Sequence, residues 1–63
     1  MRLIYQCEKA MKDPYEIPKG AKLTLILMSS ETVKLGLVGE ESISIDLPMD
    51  VFKKHFKHYS VES

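Results

Sequence analysis

Apolar positions recur at a period of two along most of this chain and switch to a wider spacing near its C-terminus. From Arg2 to Lys9, Leu3, Tyr5 and Cys7 share one side of an extended chain, while Arg2, Gln6 and Glu8 share the other, with Ile4 as the exception. Such alternation predicts a half-buried strand. From Lys12 to Gly20 it lapses into Asp13-Pro14 and Ile17-Pro18-Lys19-Gly20. Proline fixes φ and lacks a ladder donor, so this stretch predicts a loop. Its tight turn would carry Pro18 at the second position and Gly20 at the fourth.

Lys22 to Met28 is the most apolar run. Its brevity, and its place between Gly20 and Ser29-Ser30-Glu31, favour a strand over a helix. Val33, Leu35 and Leu37 then alternate through Val33–Val38, which predicts a hairpin around Ser29 to Thr32. After a turn at Gly39-Glu40-Glu41, Ser42–Leu47 alternates most cleanly, with Ile43, Ile45 and Leu47 inward and Ser42, Ser44 and Asp46 towards water. Beyond Pro48 the apolar spacing becomes three, four and three, through Met49, Phe52, Phe56 and Tyr59. That predicts an amphipathic helix of about three turns. Pro48 suits its start, Asp50 its first turn, and Lys53, Lys54, Lys57 and His58 its C-terminal half, in the order the helix macrodipole favours. Ser60 to Ser63 reads either as a frayed tail or as a short terminal strand.

The pattern therefore predicts a single small β-rich α+β domain over residues 1–63. It would be an antiparallel, four- to five-stranded curled sheet or SH3-like barrel with one C-terminal helix. Leu23–Met28 adds a demand of its own, because Leu23, Leu25 and Leu27 lie on one face and Ile26 and Met28 on the other. Both faces need cover, and one helix covers one. Either the sheet curls closed or another chain, a second copy or a partner, packs against it.

Composition narrows the classes. At 63 residues, 44% hydrophobic and 29% charged, the chain is ordinary globular material and too short for more than one core. A domain this small hides only about 60% of its unfolded surface. Cys7 is the single cysteine, so an intramolecular disulfide is excluded and a reducing, cytoplasmic setting is the natural expectation. No apolar run approaches the roughly 20 residues of a membrane span, and the N-terminus lacks the apolar stretch of a signal peptide. Nine basic residues balance nine acidic ones, so any attraction to nucleic acid must come from a local patch.

Candidate chemistry is sparse. His55 and His58 are three apart on the expected helix, with Cys7 elsewhere, but a structural zinc site wants four ligands. Two surface histidines are the simpler account, and no cofactor is implied. Cys7 falls on the apolar phase of its strand, where cysteine behaves as a small hydrophobe rather than a nucleophile. Gly20, Gly36 and Gly39 lie apart and make no phosphate loop. Adjacent Glu40 and Glu41 on a turn suit solubility better than an acid/base pair. The expectation is that the chain is not an enzyme.

Binding features carry more weight. Lys53, Lys54 and Lys57 offer a basic flank to phosphates or to an acidic groove, although the dipole already rationalises them. Tyr15 stands in the long loop as an interface anchor, unless it or Ile17 folds back to plug the core. Ile26 and Met28 are the uncovered face of the apolar strand. These six residues, Tyr15, Ile26, Met28, Lys53, Lys54 and Lys57, are the expected partner-binding positions. The leading expectation is a non-enzymatic protein-interaction module, an accessory, regulatory or inhibitor-like protein of a bacterial or phage type that binds a larger protein or itself. The alternative is a nucleic-acid-binding small β-barrel using the lysine-rich helix face. No membrane partner is expected.

Overall fold

A computed structural model of the chain describes residues 1–13 and 15–62, the side chain of Glu41 excepted. Five strands and one helix follow in the order β1 (Arg2–Cys7), β2 (Lys22–Met28), β3 (Thr32–Leu37), β4 (Glu40–Pro48), α1 (Met49–His55) and β5 (Phe56–Glu62). They build one antiparallel sheet in the spatial order β4-β3-β2-β1-β5. Among the described residues no ladder joins β4 to β5, so the sheet is open, and the outer side of β2 is not covered by closure.

The two hairpins form for local reasons. Ser29 closes the first: its amide donates to the Thr32 carbonyl at 2.9 Å, and its hydroxyl oxygen accepts from the Thr32 amide at 3.1 Å. Serine side chains stabilise turns in this way. The second turns at Val38-Gly39, where Gly39 has φ of +89°, a left-handed value that a side chain disfavours. Glu40 and Glu41 therefore open β4 rather than forming the expected turn.

The long β1–β2 loop is pinned at its base. The Cys7 amide donates to the Ala21 carbonyl and the Gly20 amide to the Cys7 carbonyl, both at 2.7 Å. Higher up, Met11 and Ile17 exchange backbone hydrogen bonds at 2.9 and 2.8 Å. Both side chains are buried, so Ile17 is the residue that folds into the core. The tight turn sits one residue later than expected. The Ala21 amide reaches the Pro18 carbonyl at 3.3 Å and Gly20 has φ of +94°, so Pro18 is first and Gly20 third. That is the position where a type II turn requires a left-handed residue.

The helix is shorter than the apolar spacing predicted. It ends at His55 after seven residues, and Phe56 is already extended at φ −117°, ψ 148°. From there the backbone pairs with β1, placing Phe56 opposite Cys7, Lys57 opposite Gln6 and His58 opposite Tyr5. Lys57, His58 and Tyr59 are thus strand residues, and only Lys53 and Lys54 of the basic cluster are helical. Phe52 and Phe56 are buried whichever element carries Phe56, so the apolar period could not reveal the boundary. The edge of β1, otherwise unpaired, decides it by offering backbone partners.

The core lies between one sheet face, α1 and the loop. Cys7, Met11, Ile17, Leu23, Val33, Leu35, Leu47, Phe52 and Phe56 form its buried cluster. Phe52 meets Tyr5 edge-on at 5.0 Å between centroids and stacks on Phe56 at 5.7 Å, geometries that add to plain burial. A bulge in β2 changes the expected faces. Leu25 pairs with Leu35 but Leu27 pairs with Lys34, which leaves Ile26 as the extra residue. The slip turns Leu27 to the Lys34 side, where it is 64% exposed, and moves Met28 to the side of Val33.

Candidate binding site

An apolar cavity of about 300 Å³ opens where the core meets solvent. The sheet face supplies Leu23, Leu35, Leu37, Ile43 and Ile45, and the loop supplies Tyr15, Glu16, Ile17 and Pro18. Alternation aims Leu35, Leu37 and Ile45 to one side of β3 and β4, and the loop bends over that side because Ile17 is drawn into the core. Loop and hairpin remain apart above it. Ile43, read from the sequence as inward, is 50% exposed, and Leu37 and Tyr15 are also exposed large hydrophobic residues. The floor is therefore apolar and open. Glu16 lines the cavity, so a carboxylate stands at its rim.

The six expected partner-binding residues fall in three places. Tyr15 lines the cavity. Ile26 and Met28 lie towards the far end of β2, exposed beside Leu27. Lys53 and Lys54 are exposed in the last turn of α1, and Lys57 is exposed on β5. There Lys57 belongs to a row across three strands, because Gln6 pairs with Lys57 on one side and with Lys22 on the other. Lys22 and Tyr59 were not singled out from sequence, yet the Lys22 ammonium lies 4.7 Å from the centroid of the Tyr59 ring, a cation–π contact. Leu37, Ile43 and Ile45 were also missed, because inward alternation does not distinguish a packed position from a cavity wall.

The residues weighed for metal or nucleophilic chemistry are separated. His55 Nδ1 lies 2.7 Å from the Lys9 carbonyl oxygen, and the Glu8 amide donates to the His55 carbonyl at 2.7 Å, which ties the end of α1 to the start of the loop. His58 instead meets the Tyr5 ring edge-on at 5.5 Å. Among the described residues no three His, Cys, Asp or Glu side chains gather as a metal site would require. Cys7 is fully buried, and its thiol donates to the Lys9 carbonyl at 3.2 Å. Burial, the largest cause, pushes this thiol above its ordinary pKa; a backbone hydrogen bond with Lys9 pulls it down and the Glu8 charge adds to the rise. A group held as the thiol is a poor nucleophile. No described helix is long and apolar enough to cross a membrane. Comparison with family models, with curated proteins and with solved structures finds no match.

Proposed function

We propose that this chain is a non-enzymatic protein-interaction module, which seats a bulky apolar side chain of a larger protein, or of a second copy, in the cavity between its long loop and the β3–β4 hairpin. The observation that carries this reading is the cavity itself, about 300 Å³ of open space walled by Leu35, Leu37, Ile43 and Ile45. Concave, mostly apolar sites with a few polar groups at the rim are the usual form of binding sites, and tyrosine, the residue type at position 15, is among those enriched as anchors. Glu16 at the rim would favour a partner segment with a basic residue beside its apolar one. The succession of a strand, a long loop, a three-strand meander, a short helix and a last strand returning beside the first supports an SH3-like arrangement. A regulatory or inhibitor-like role in the cytoplasm fits the single buried thiol.

Selection of random displayed peptides against the wild-type protein tests this, with Ile43→Lys as the counter-target. Ile43 is half exposed, so the variant should keep the wild-type thermal transition. Peptides with an aromatic or large aliphatic residue should be recovered, should shift the methyl resonances of Leu37, Ile43 and Ile45, and should lose binding to Ile43→Lys. Light scattering on both proteins covers self-association. Monomers throughout, with no peptide mapping to the cavity, would refute the proposal.

A further inference from the structure

We infer that the accessible strip formed by Lys57, Gln6, Lys22 and Tyr59, on the sheet face turned away from the core and beside the buried Ile4–Thr24 pair, binds single-stranded nucleic acid, with Lys57 and Lys22 on phosphates and Tyr59 as a stacking platform. The register places Lys57, Gln6 and Lys22 in one row across the three strands. Cross-strand partners point to the same side. The neighbouring rows, Cys7 with Phe56 and Tyr5 with Leu23, point to the core, so the basic row looks the other way. Two strand spacings separate the outer members, about 10 Å, with a neutral hydrogen-bonding glutamine between them.

Tyr59 joins the row through a bulge. Between the Tyr5–His58 and Ile4–Ser60 pairs, β1 advances one residue and β5 advances two, so Tyr59 is the extra residue. Bulges re-aim side chains, and this one leaves the ring 55% exposed beneath the Lys22 ammonium. An exposed aromatic beside lysines on a sheet is the arrangement that grips single strands. Bases stack on the ring, and every base has a π-face, while the cations follow the backbone. A base arriving on the ring displaces the Lys22 ammonium from it towards the adjoining phosphate.

The charges around the row favour an anionic strand there and not elsewhere on this face. Towards the other end of the sheet Glu62 is the ladder partner of Arg2 and Asp46 of Lys34, so each base there has an acid beside it. The Lys57–Gln6–Lys22 row itself contains no acid; Glu8 follows just beyond the end of β1, and against it stand Lys57, Lys22 and, just before β5 begins, Lys53 and Lys54, so bases outnumber acids there. With no net charge on the chain, attraction is short-range and confined to this patch. Two or three phosphate contacts on a single strand give a salt slope of about −1.4 to −2.1. Affinity should then fall roughly 7- to 20-fold between 50 and 200 mM salt.

The test is fluorescence anisotropy of end-labelled 12-nucleotide oligo-uridine and oligo-thymidine, with a labelled duplex and labelled poly-glutamate as comparison probes. Expected are binding of both single strands with that salt dependence, weaker binding of the duplex, and a loss of roughly five-fold or more for Tyr59→Leu. Lys57→Ala and Lys22→Ala should each weaken binding, Lys57→Arg should retain it, and Ile43→Lys should leave it unchanged, which separates this surface from the apolar cavity. All the altered side chains are exposed, and a thermal melt of each variant confirms folding. Absence of binding at 50 mM salt, full affinity in Tyr59→Leu, or equal binding of poly-glutamate would overturn the inference.

Discussion

Replacing Thr24 with valine should make the protein more stable. Thr24 lies mid-sheet on β2, paired with Ile4 of β1 and Gly36 of β3, and is only 3% exposed. Among the described residues its hydroxyl has no hydrogen-bond partner. A buried, unpaired hydroxyl costs about 1 to 3 kcal/mol in proteins. Valine keeps the β-branched shape that suits this strand and removes the group that must be desolvated. The expected gain is about 1 kcal/mol. Unfolding entropy near 2.1 cal/mol/K per residue makes 1 kcal/mol worth roughly 8 °C in Tm for a chain of this length. The assay is urea denaturation followed by far-UV circular dichroism, with the thermal midpoint as a second measure. Thr24→Ser is the control, because it keeps the hydroxyl and loses a buried methyl, and should fall by about 0.8 kcal/mol. A Thr24→Val protein equal to or less stable than wild type, at unchanged m-value, would show that the hydroxyl is satisfied in the folded state and refute the reasoning.

Two more predictions follow from single groups. Because folding raises the Cys7 pKa, the unfolded chain loses its thiol proton at a lower pH than the folded one, and the folded state holds more protons across that window. Stability should therefore be complete below the ordinary thiol pKa of about 8.5 and decline as pH rises above it, and Cys7→Ala should remove that decline; a flat wild-type profile from pH 8 to 10 would contradict this. Gly39→Ala should lose about 1 to 2 kcal/mol for backbone reasons alone, since nothing lies within 4 Å of the added carbon while φ is +89°. A denaturation midpoint equal to wild type would mean the turn re-forms without a left-handed residue.

The period-two pattern determined most of the sheet by itself. Alternation of Val33, Leu35 and Leu37, and of Ile45 and Leu47, predicts which side of β3 and β4 meets the core, because side chains on successive strand residues must point to opposite faces. Ser29 and Gly39 marked the two hairpin turns for different local reasons, Ser29 by accepting the Thr32 amide on its hydroxyl and Gly39 by adopting a left-handed φ that side chains resist. Tertiary structure decided what local preference left balanced. Phe52 and Phe56 satisfy a helical period and a helix-to-strand junction equally well, and only the free edge of β1 selected the strand. That choice moved Lys57 and Tyr59 from a helix flank to a sheet face beside Lys22, a residue 35 positions away in sequence from Lys57. The β2 bulge reversed the expected side of Leu27 by the same kind of long-range pairing, against Lys34. Neither the cavity nor the basic row is written in any one segment, since each arises where strands distant along the chain are brought into register, and backbone hydrogen bonding fixes that register only once the whole sheet is assembled.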